Sequence, residues 1–178
     1  MGLTLIIGGA RSGKSARALA EAEAEAARRG GRPVMIATAE AGDAEMAERI
    51  ARHRAERGAA WRTLEAPLDV AGALAGLNAQ DCAVVDCLTL WLSNLMFAEA
   101  DLDAAASALL AAAAACPAGL VMVTNEVGMG IVPENALARR FRDEAGRLNR
   151  RAADQAGRVI VMFAGQALTL KDAAPKGA

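Results

Sequence analysis

The chain has 178 residues, of which 54% are hydrophobic and 23% are charged, and its formal net charge is −1. These totals are typical of a single globular domain over 1–178, and the near-neutral charge argues against a general nucleic-acid or membrane-binding surface. The chain has three cysteines, Cys82, Cys87 and Cys116. Their spacing is not that of metal ligands, and an odd number of cysteines does not form a complete set of disulfides. This cysteine usage, together with a strand pattern in place of a signal peptide at the first residues, favours a cytoplasmic location.

An apolar strand at 3–7 runs directly into the phosphate-loop pattern G-x-x-x-x-G-K-[ST]. The residues that fill it are Gly8, Gly9, Ala10, Arg11, Ser12, Gly13, Lys14 and Ser15. Gly8 and Gly13 permit turns that point backbone N–H groups at an anion, and the following helix adds the positive end of its dipole. Lys14 would contact the β- and γ-phosphates, and the Ser15 hydroxyl would bind Mg²⁺. A plain glycine-rich turn is the alternative, but the match between a strand and a helix favours a nucleoside triphosphate site.

Helical and extended patterns alternate after this loop. Helices are predicted where Ala, Leu, Glu and Arg dominate, and strands where short apolar runs lie between turn residues. The predicted helices cover 15–29, about 43–57, 67–77, 88–98, an alanine-rich segment from about 104, and 133–156; the predicted strands cover 3–7, 33–38, 82–86, 120–124, 158–164 and 167–170, with a short extended segment at 61–65.

Five strands that alternate with helices predict an α/β fold, with a mostly parallel sheet covered on both faces. Gly165-Gln166 is expected to form a two-residue turn into an antiparallel last strand, and the tail at 171–178 is expected to be frayed. Ligands of such sheets bind outside the C-terminal strand ends. Those ends carry the phosphate loop, Thr38, Asp86 and the pair Asn125-Glu126. With no repeat or linker in sight, we expect one phosphate-loop catalytic domain.

One segment has the length of a membrane span. Residues 104–124 include 21 positions without a charge, enough to cross a bilayer. However, alanine dominates the segment, and Pro117-Ala118-Gly119 interrupts it. We therefore predict an alanine-rich helix, a turn and a buried strand, with no membrane insertion.

The strand at 82–86 ends in Asp86. In nucleotide-binding folds, an aspartate at this position holds Mg²⁺ or its water, although many strands end in an aspartate that only caps the next helix. The phosphate loop makes the metal interpretation the stronger one, with Ser15 and Asp86 as the ligands. The segment at 88–98 is apolar on nearly every side, so it is either a fully buried helix or one that packs on another subunit.

His53 distinguishes the possible functions. A lone histidine on a helix is usually structural, but Arg49, Arg52, Arg54 and Arg57 lie close to it in sequence. Their charge would disfavour the protonated imidazole and leave a neutral nucleophile, and they could neutralise phosphate oxygens. Histidine attack on phosphorus gives a phosphoramidate, which suits a covalent transfer intermediate.

Several runs closely resemble the bifunctional adenosylcobinamide kinase/adenosylcobinamide-phosphate guanylyltransferase family. They are G-G-A-R-S-G-K-S, E-M-A-E-R-I-A-R-H-R followed by W-R-T-L-E, and V-T-N-E-V-G-M-G-I-V-P-E-N with F-R-D-E-A-G-R-L-N. The resemblance spans about 3–170. It implies a RecA-like fold, ATP and GTP as substrates, Mg²⁺ as cofactor, a trimeric assembly, and adenosylcobinamide and its phosphate as partners, without nucleic acid.

The resemblance also assigns roles to single residues. His53 takes the place of the guanylylated histidine, and Lys14 acts with it in catalysis. The remaining nucleotide contacts, besides the phosphate loop, would be Ala37, Thr38, Ala39, Arg54, Ala55, Glu56, Arg57, Glu65 and Asp86. Two departures stand out: Asp86 replaces a frequent glutamate, and Arg52 replaces one of two adjacent histidines in relatives. Glu126 is either a base or water-positioning group, or a brace for its own loop.

The function expected is assembly of the cobalamin nucleotide loop in two steps. Adenosylcobinamide is phosphorylated by ATP or GTP, and GMP is then transferred from GTP through guanylylated His53 to give adenosylcobinamide-GDP. One alternative is a phosphate-loop small-molecule kinase in which His53 is structural, and another is a nucleotide-binding regulatory protein. The first predicts phosphoryl transfer without a covalent nucleotide, and the second predicts binding without transfer to an acceptor.

Overall fold

The computed structural model describes residues 2–40, Glu48 and 57–173. Within these residues the strands form one sheet in the order β3-β2-β4-β5-β1-β6-β7. The strands are β1 (Leu3–Gly8), β2 (Pro33–Ala37), β3 (Arg62–Glu65), β4 (Cys82–Asp86), β5 (Gly119–Asn125), β6 (Arg158–Phe163) and β7 (Gln166–Asp172). The helices are α1 (Lys14–Arg29), α2 (Val70–Ala75), α3 (Leu88–Phe97), α4 (Leu102–Ala115) and α5 (Ala136–Gln155).

Every strand pair is parallel except β6 with β7. This confirms the predicted mostly parallel sheet with a C-terminal antiparallel hairpin. The extended segment that the sequence indicated before the third strand becomes β3, a parallel edge strand paired with β2. The sheet thus has one more parallel strand than the alternation of apolar runs predicted.

Side chains of the central strands point alternately to the two faces of the sheet and pack into two separate cores. Leu5 belongs to a core that also contains residues of α2, α3, α4 and α5, whereas its neighbour Ile6 belongs to a core with the alanines Ala18, Ala22 and Ala26 of α1. The alanines recur every fourth residue and therefore form one face of the helix. Both faces of the sheet are covered, which explains why its parallel strands read as continuous apolar runs.

Several element ends differ from the sequence prediction because side chains cap them. α2 covers only Val70–Ala75, since the Asp69 carboxylate accepts from Gly72 N at its start. α5 begins at Ala136, later than predicted, because the Asn135 side chain accepts from Ala138 N. Both are N-cap contacts of the usual kind.

The hairpin turn is displaced by one residue from the prediction. It consists of Ala164 and Gly165, both with positive φ (50° and 78°), and Gln166 already pairs with Phe163. β7 then continues through Asp172, so the first residues of the tail expected to be frayed are strand. The Lys171 ammonium donates to two carbonyls at the end of α5.

α3 is largely buried within the subunit. Leu88, Trp91, Leu92 and Leu95 are at most 5% exposed, but Phe97 in its last turn is 77% exposed. Of the two alternatives that the sequence left open, complete burial does not hold at this end, and packing on another subunit stays a prediction. None of the helices in the described part of the chain combines the length and the apolar composition of a membrane span. The helix predicted over 43–57 lies outside the described residues, except Glu48 and Arg57.

The end of α1 is tied to the sheet through Glu25. This carboxylate, 8% exposed, accepts from Arg28 and Arg29 at 2.6–2.8 Å. Arg29 also donates to the carbonyls of Ala79 and Pro117, just before β4 and β5. Hydrogen bonds from Arg28, supported by those from Arg29, outweigh burial and lower the pKa of Glu25 to about 2.

We expect Glu25→Gln to lower the free energy of unfolding at neutral pH by about 1–3 kcal/mol, because two arginines lose a charged acceptor. The folded pKa lies below the unfolded value near 4.5, so this stability is present above that value and lost as the pH falls toward 2. Urea unfolding at neutral pH and at about pH 3 measures the difference, with the exposed Glu134→Gln as control. A difference that is the same at both pH values would contradict this account.

Candidate nucleotide site

The phosphate loop begins where β1 ends, and its first glycine has no room for a side chain. A Cβ on Gly8 would lie 2.5 Å from the Met162 carbonyl oxygen and 2.6 Å from Ser12 Oγ. Gly13, the N-cap of α1, has φ of 91°, in the left-handed region that glycine adopts most readily. The two glycines thus serve close packing on β6 and the turn into the helix.

Two polar side chains inside the loop are arranged for an anion. Lys14 is only 9% exposed, and its Nζ donates to the Gly9 carbonyl at 3.0 Å, which leaves further ammonium donors for phosphate oxygens. Ser12 Oγ is buried and has no hydrogen-bond partner within the described chain. Buried hydroxyls are normally paired, so this orphaned group fits a loop whose partner is a ligand. Ser15, in the first turn of α1, is half-buried.

The sheet register fixes where the other strand ends lie relative to this loop. Gly8 is level with Asn125 on β5, whereas Asp86 on β4 is level with Val123. β5 therefore separates the phosphate loop from Asp86, which places β1 and β4 about 10 Å apart at the usual strand spacing. Asp86 is half-buried and lies at the same edge of the sheet as the loop.

Glu126 sits between these two strand ends. Its backbone N–H donates to the Gly8 carbonyl at 3.2 Å, and its carboxylate accepts from Gly128 N at 2.6 Å. The second contact is the bracing role that the sequence left open. The bracing does not use the second carboxylate oxygen, so the chemical role stays a prediction.

The residues expected beyond the loop fall into three groups. Ala37 and Ala39 are half-buried at the end of β2. Glu65 is exposed at the end of β3 and lines a cleft of about 400 Å³ with residues 64–69 and Ala73. Thr38, in contrast, is completely buried. Arg57 is helical and half-buried, while His53, Arg54, Ala55 and Glu56 lie outside the described residues.

A buried polar network behind the site was not found by sequence reasoning. Thr124 Oγ1 donates to Asn149 Oδ1 at 2.7 Å, and Asn149 Nδ2 donates to the Asn125 carbonyl at 3.1 Å. Thr89 Oγ1 accepts from Asn125 N at 2.7 Å. The network fixes the end of β5 from α3 and α5. Its one sequence signal is an asparagine, Asn149, beside the apolar stripe of a helix.

The oxygen donors at this site suit a Mg²⁺ ion that is held partly by the protein and partly by a nucleotide. Among the described residues, no three His, Cys, Asp or Glu side chains come together as a metal site. Ser15 and Asp86 offer two hard oxygen donors, and Mg²⁺ is commonly held by one or two protein oxygens together with nucleotide phosphates and water. The chain's residues fit a magnesium ion that arrives with a nucleotide.

We expect Gly8→Ala to lower the free energy of unfolding by about 1–3 kcal/mol, because the new methyl group must displace the Met162 carbonyl and Ser12. Gly9→Ala is the matched control: its Cβ would have no atom within 4 Å, so a change of about 0.5 kcal/mol or less is expected. Urea unfolding without nucleotide compares them. Equal losses from both variants would show that packing at Gly8 is not the constraint.

The sequence comparisons with known proteins agree on one family. The model of the family described as "Cobinamide kinase / cobinamide phosphate guanyltransferase" matches residues 4–170. The "Bifunctional adenosylcobalamin biosynthesis protein CobP" of Pseudomonas aeruginosa is 48% identical over 94% of this chain and 96% of its own length. The "Bifunctional adenosylcobalamin biosynthesis protein CobU" of Salmonella typhimurium is 42% identical over 95% of this chain and 99% of its own length.

A solved structure shows a similar fold at low identity. The flagellar accessory protein FlaH from Methanocaldococcus jannaschii aligns with 96% of this chain and 78% of its own, with a TM-score of 0.52 and 14% identity. At that identity the likeness concerns the fold alone. The sequence relatives carry the assignment and confirm the resemblance found in the motifs. The chain belongs to the cobinamide kinase/cobinamide phosphate guanyltransferase family.

Proposed function

We propose that this protein phosphorylates adenosylcobinamide with ATP or GTP and then transfers GMP from GTP, through guanylylated His53, to give adenosylcobinamide-GDP in cobalamin assembly. The observation that carries the proposal is one loop that holds both the buried Lys14 and the unpaired Ser12 hydroxyl, in a chain of this family. A lysine and an unpaired hydroxyl in a loop at a helix N-terminus suit the binding of phosphate oxygens.

In the first step, the hydroxyl of the aminopropanol arm of adenosylcobinamide attacks the γ-phosphorus of the nucleotide. The bond to the bridging oxygen breaks, a nucleoside diphosphate leaves, and the hydroxyl proton passes to Glu126 or to water. Lys14 stabilises charge on the transferred group. Mg²⁺, which Ser15 and Asp86 would hold, would add positive charge at the phosphate oxygens.

In the second step, an imidazole nitrogen of His53 attacks the α-phosphorus of GTP, and pyrophosphate leaves. A phosphate oxygen of adenosylcobinamide phosphate then attacks the same phosphorus and releases His53. The support for His53 is family membership and the arginines around it in sequence, Arg54 and Arg57 among them, which would neutralise phosphate charge. Further nucleotide contacts are proposed at Ala37, Ala39, Ala55, Glu56, Glu65 and Asp86.

The proposal extends to how the chain works as a unit. We take it to act as a single catalytic domain in the cytoplasm, without a nucleic-acid partner, and as a homotrimer. The support for the trimer is the resemblance, together with exposed Phe97 at the end of the apolar helix α3. The oligomeric state is measured directly by light scattering of the purified protein.

Lys14→Met should reduce phosphoryl transfer roughly 100-fold or more, because a donor aimed at developing charge is removed. The assay is transfer of label from γ-labelled ATP to adenosylcobinamide in the presence of Mg²⁺. Lys171→Met is the matched control, since Lys171 contacts the end of α5, and it should keep wild-type activity. The proposal fails if the wild type labels no corrinoid, or if Lys14→Met is as active as the control.

Mass spectrometry of the same reaction with GTP separates the full function from a plain kinase. The proposed function gives adenosylcobinamide-GDP, whereas a kinase without guanylyl transfer stops at adenosylcobinamide phosphate. A regulatory nucleotide-binding protein would yield neither product.

A further inference from the structure

We propose that the Thr38 side chain is a positioning group that fixes Asp86 and the backbone after it. The inference rests on the proposed function, because Asp86, which Thr38 would position, is the residue that would hold the metal in that reaction. It is carried by the contacts of Thr38, all of which lie inside the protein.

Both polar groups of the peptide between Asp86 and Cys87 bind Thr38. Thr38 N donates to the Asp86 carbonyl at 3.3 Å, and Cys87 N donates to Thr38 Oγ1 at 2.7 Å. The same hydroxyl donates to the Cys87 carbonyl at 2.9 Å. One threonine therefore makes three hydrogen bonds to the two residues at the end of β4.

Thr38 is itself held from the other side. Asn94 Nδ2, on α3, donates to the Thr38 carbonyl at 2.8 Å and to the Pro67 carbonyl at 3.0 Å. The Thr38 N–H, hydroxyl and carbonyl are thus all engaged, and the residue is 0% exposed. The Thr38 hydroxyl is therefore committed to the Cys87 backbone.

The hydrogen bonds of Thr38 lie where the strand pairing of β4 ends. The β2–β4 ladder ends at the pair Ala37 and Asp86, and the β4–β5 ladder ends at Asp86 and Val123. Beyond Asp86, no ladder bond holds the chain among the described residues. The Thr38 hydroxyl holds the backbone at that point, next to the residue, Asp86, that would hold the metal. Groups that orient a metal ligand commonly change metal affinity 10- to 100-fold when removed.

The test compares Thr38→Val, which removes the hydroxyl, with Thr38→Ser, which keeps it. Thr4→Val is the matched control, because Thr4 is also buried, at 1% exposure. It lies near the start of β1, at the end of the parallel strands away from the site. The measurements are calorimetric GTP affinity in EDTA and electron paramagnetic resonance of Mn²⁺ bound to the protein–GTP complex.

We expect Thr38→Val to leave the GTP affinity in EDTA within about twofold and to weaken Mn²⁺ binding to the complex roughly tenfold or more. Thr38→Ser and Thr4→Val should bind both like the wild type. A loss of GTP affinity in EDTA would instead show a direct nucleotide contact. Unchanged Mn²⁺ binding by Thr38→Val would equally overturn the proposal.

A second variant covers the case in which Thr38→Val does not fold. Thr38→Ala leaves space for a water molecule against the Cys87 backbone, and the same two measurements apply to it with the same expected pattern. The wild type separates the two levels of the account. If it binds GTP and Mn²⁺ but the variants do not differ, only the role of Thr38 falls; if it binds no GTP, the proposed function falls as well.

Discussion

The parallel register of β1, β5 and β4 is the constraint on which the candidate site depends. It places the phosphate loop after Gly8 and the Asp86 carboxylate at one edge of the sheet, with the end of β5 between them. Glu126, directly after β5, lies between them with its N–H on the Gly8 carbonyl. Because both faces of the sheet are buried under helices, this spacing cannot change without moving the core.

Where the ladders end, side chains from buried positions continue to hold the backbone. Thr38 binds the residues at the end of β4, and Thr89 and Asn149 bind Asn125 at the end of β5. All three are at most 8% exposed, and buried polar groups that are fully paired make a structure rigid. A site that aligns a nucleotide, a metal and an acceptor needs such rigidity, since small displacements of reacting groups reduce the rate strongly.

Local signals predicted much of this arrangement. The phosphate loop, the strand ending in Asp86 and the parallel sheet depend on residues that are adjacent in sequence, so the motif and the apolar runs sufficed. The edge strand β3 and the burial of Thr38 depend on partners far along the chain, and a single sequence does not record them. The hairpin turn was predicted one residue too late, at Gly165-Gln166, because glycine is the usual residue for a positive φ. In the structure Ala164 also adopts a positive φ, which an alanine does not suggest.

The most direct test of the account is covalent capture of the nucleotide. The protein is incubated with Mg²⁺ and GTP labelled at the α-phosphorus and then separated on a denaturing gel beside His53→Ala. The account predicts a label on the wild type that is labile in acid and stable in base, as a phosphoramidate is, and that is absent from His53→Ala. A folded wild type that binds GTP and carries no label would contradict guanylyl transfer through His53 and leave a phosphate-loop kinase as the better description.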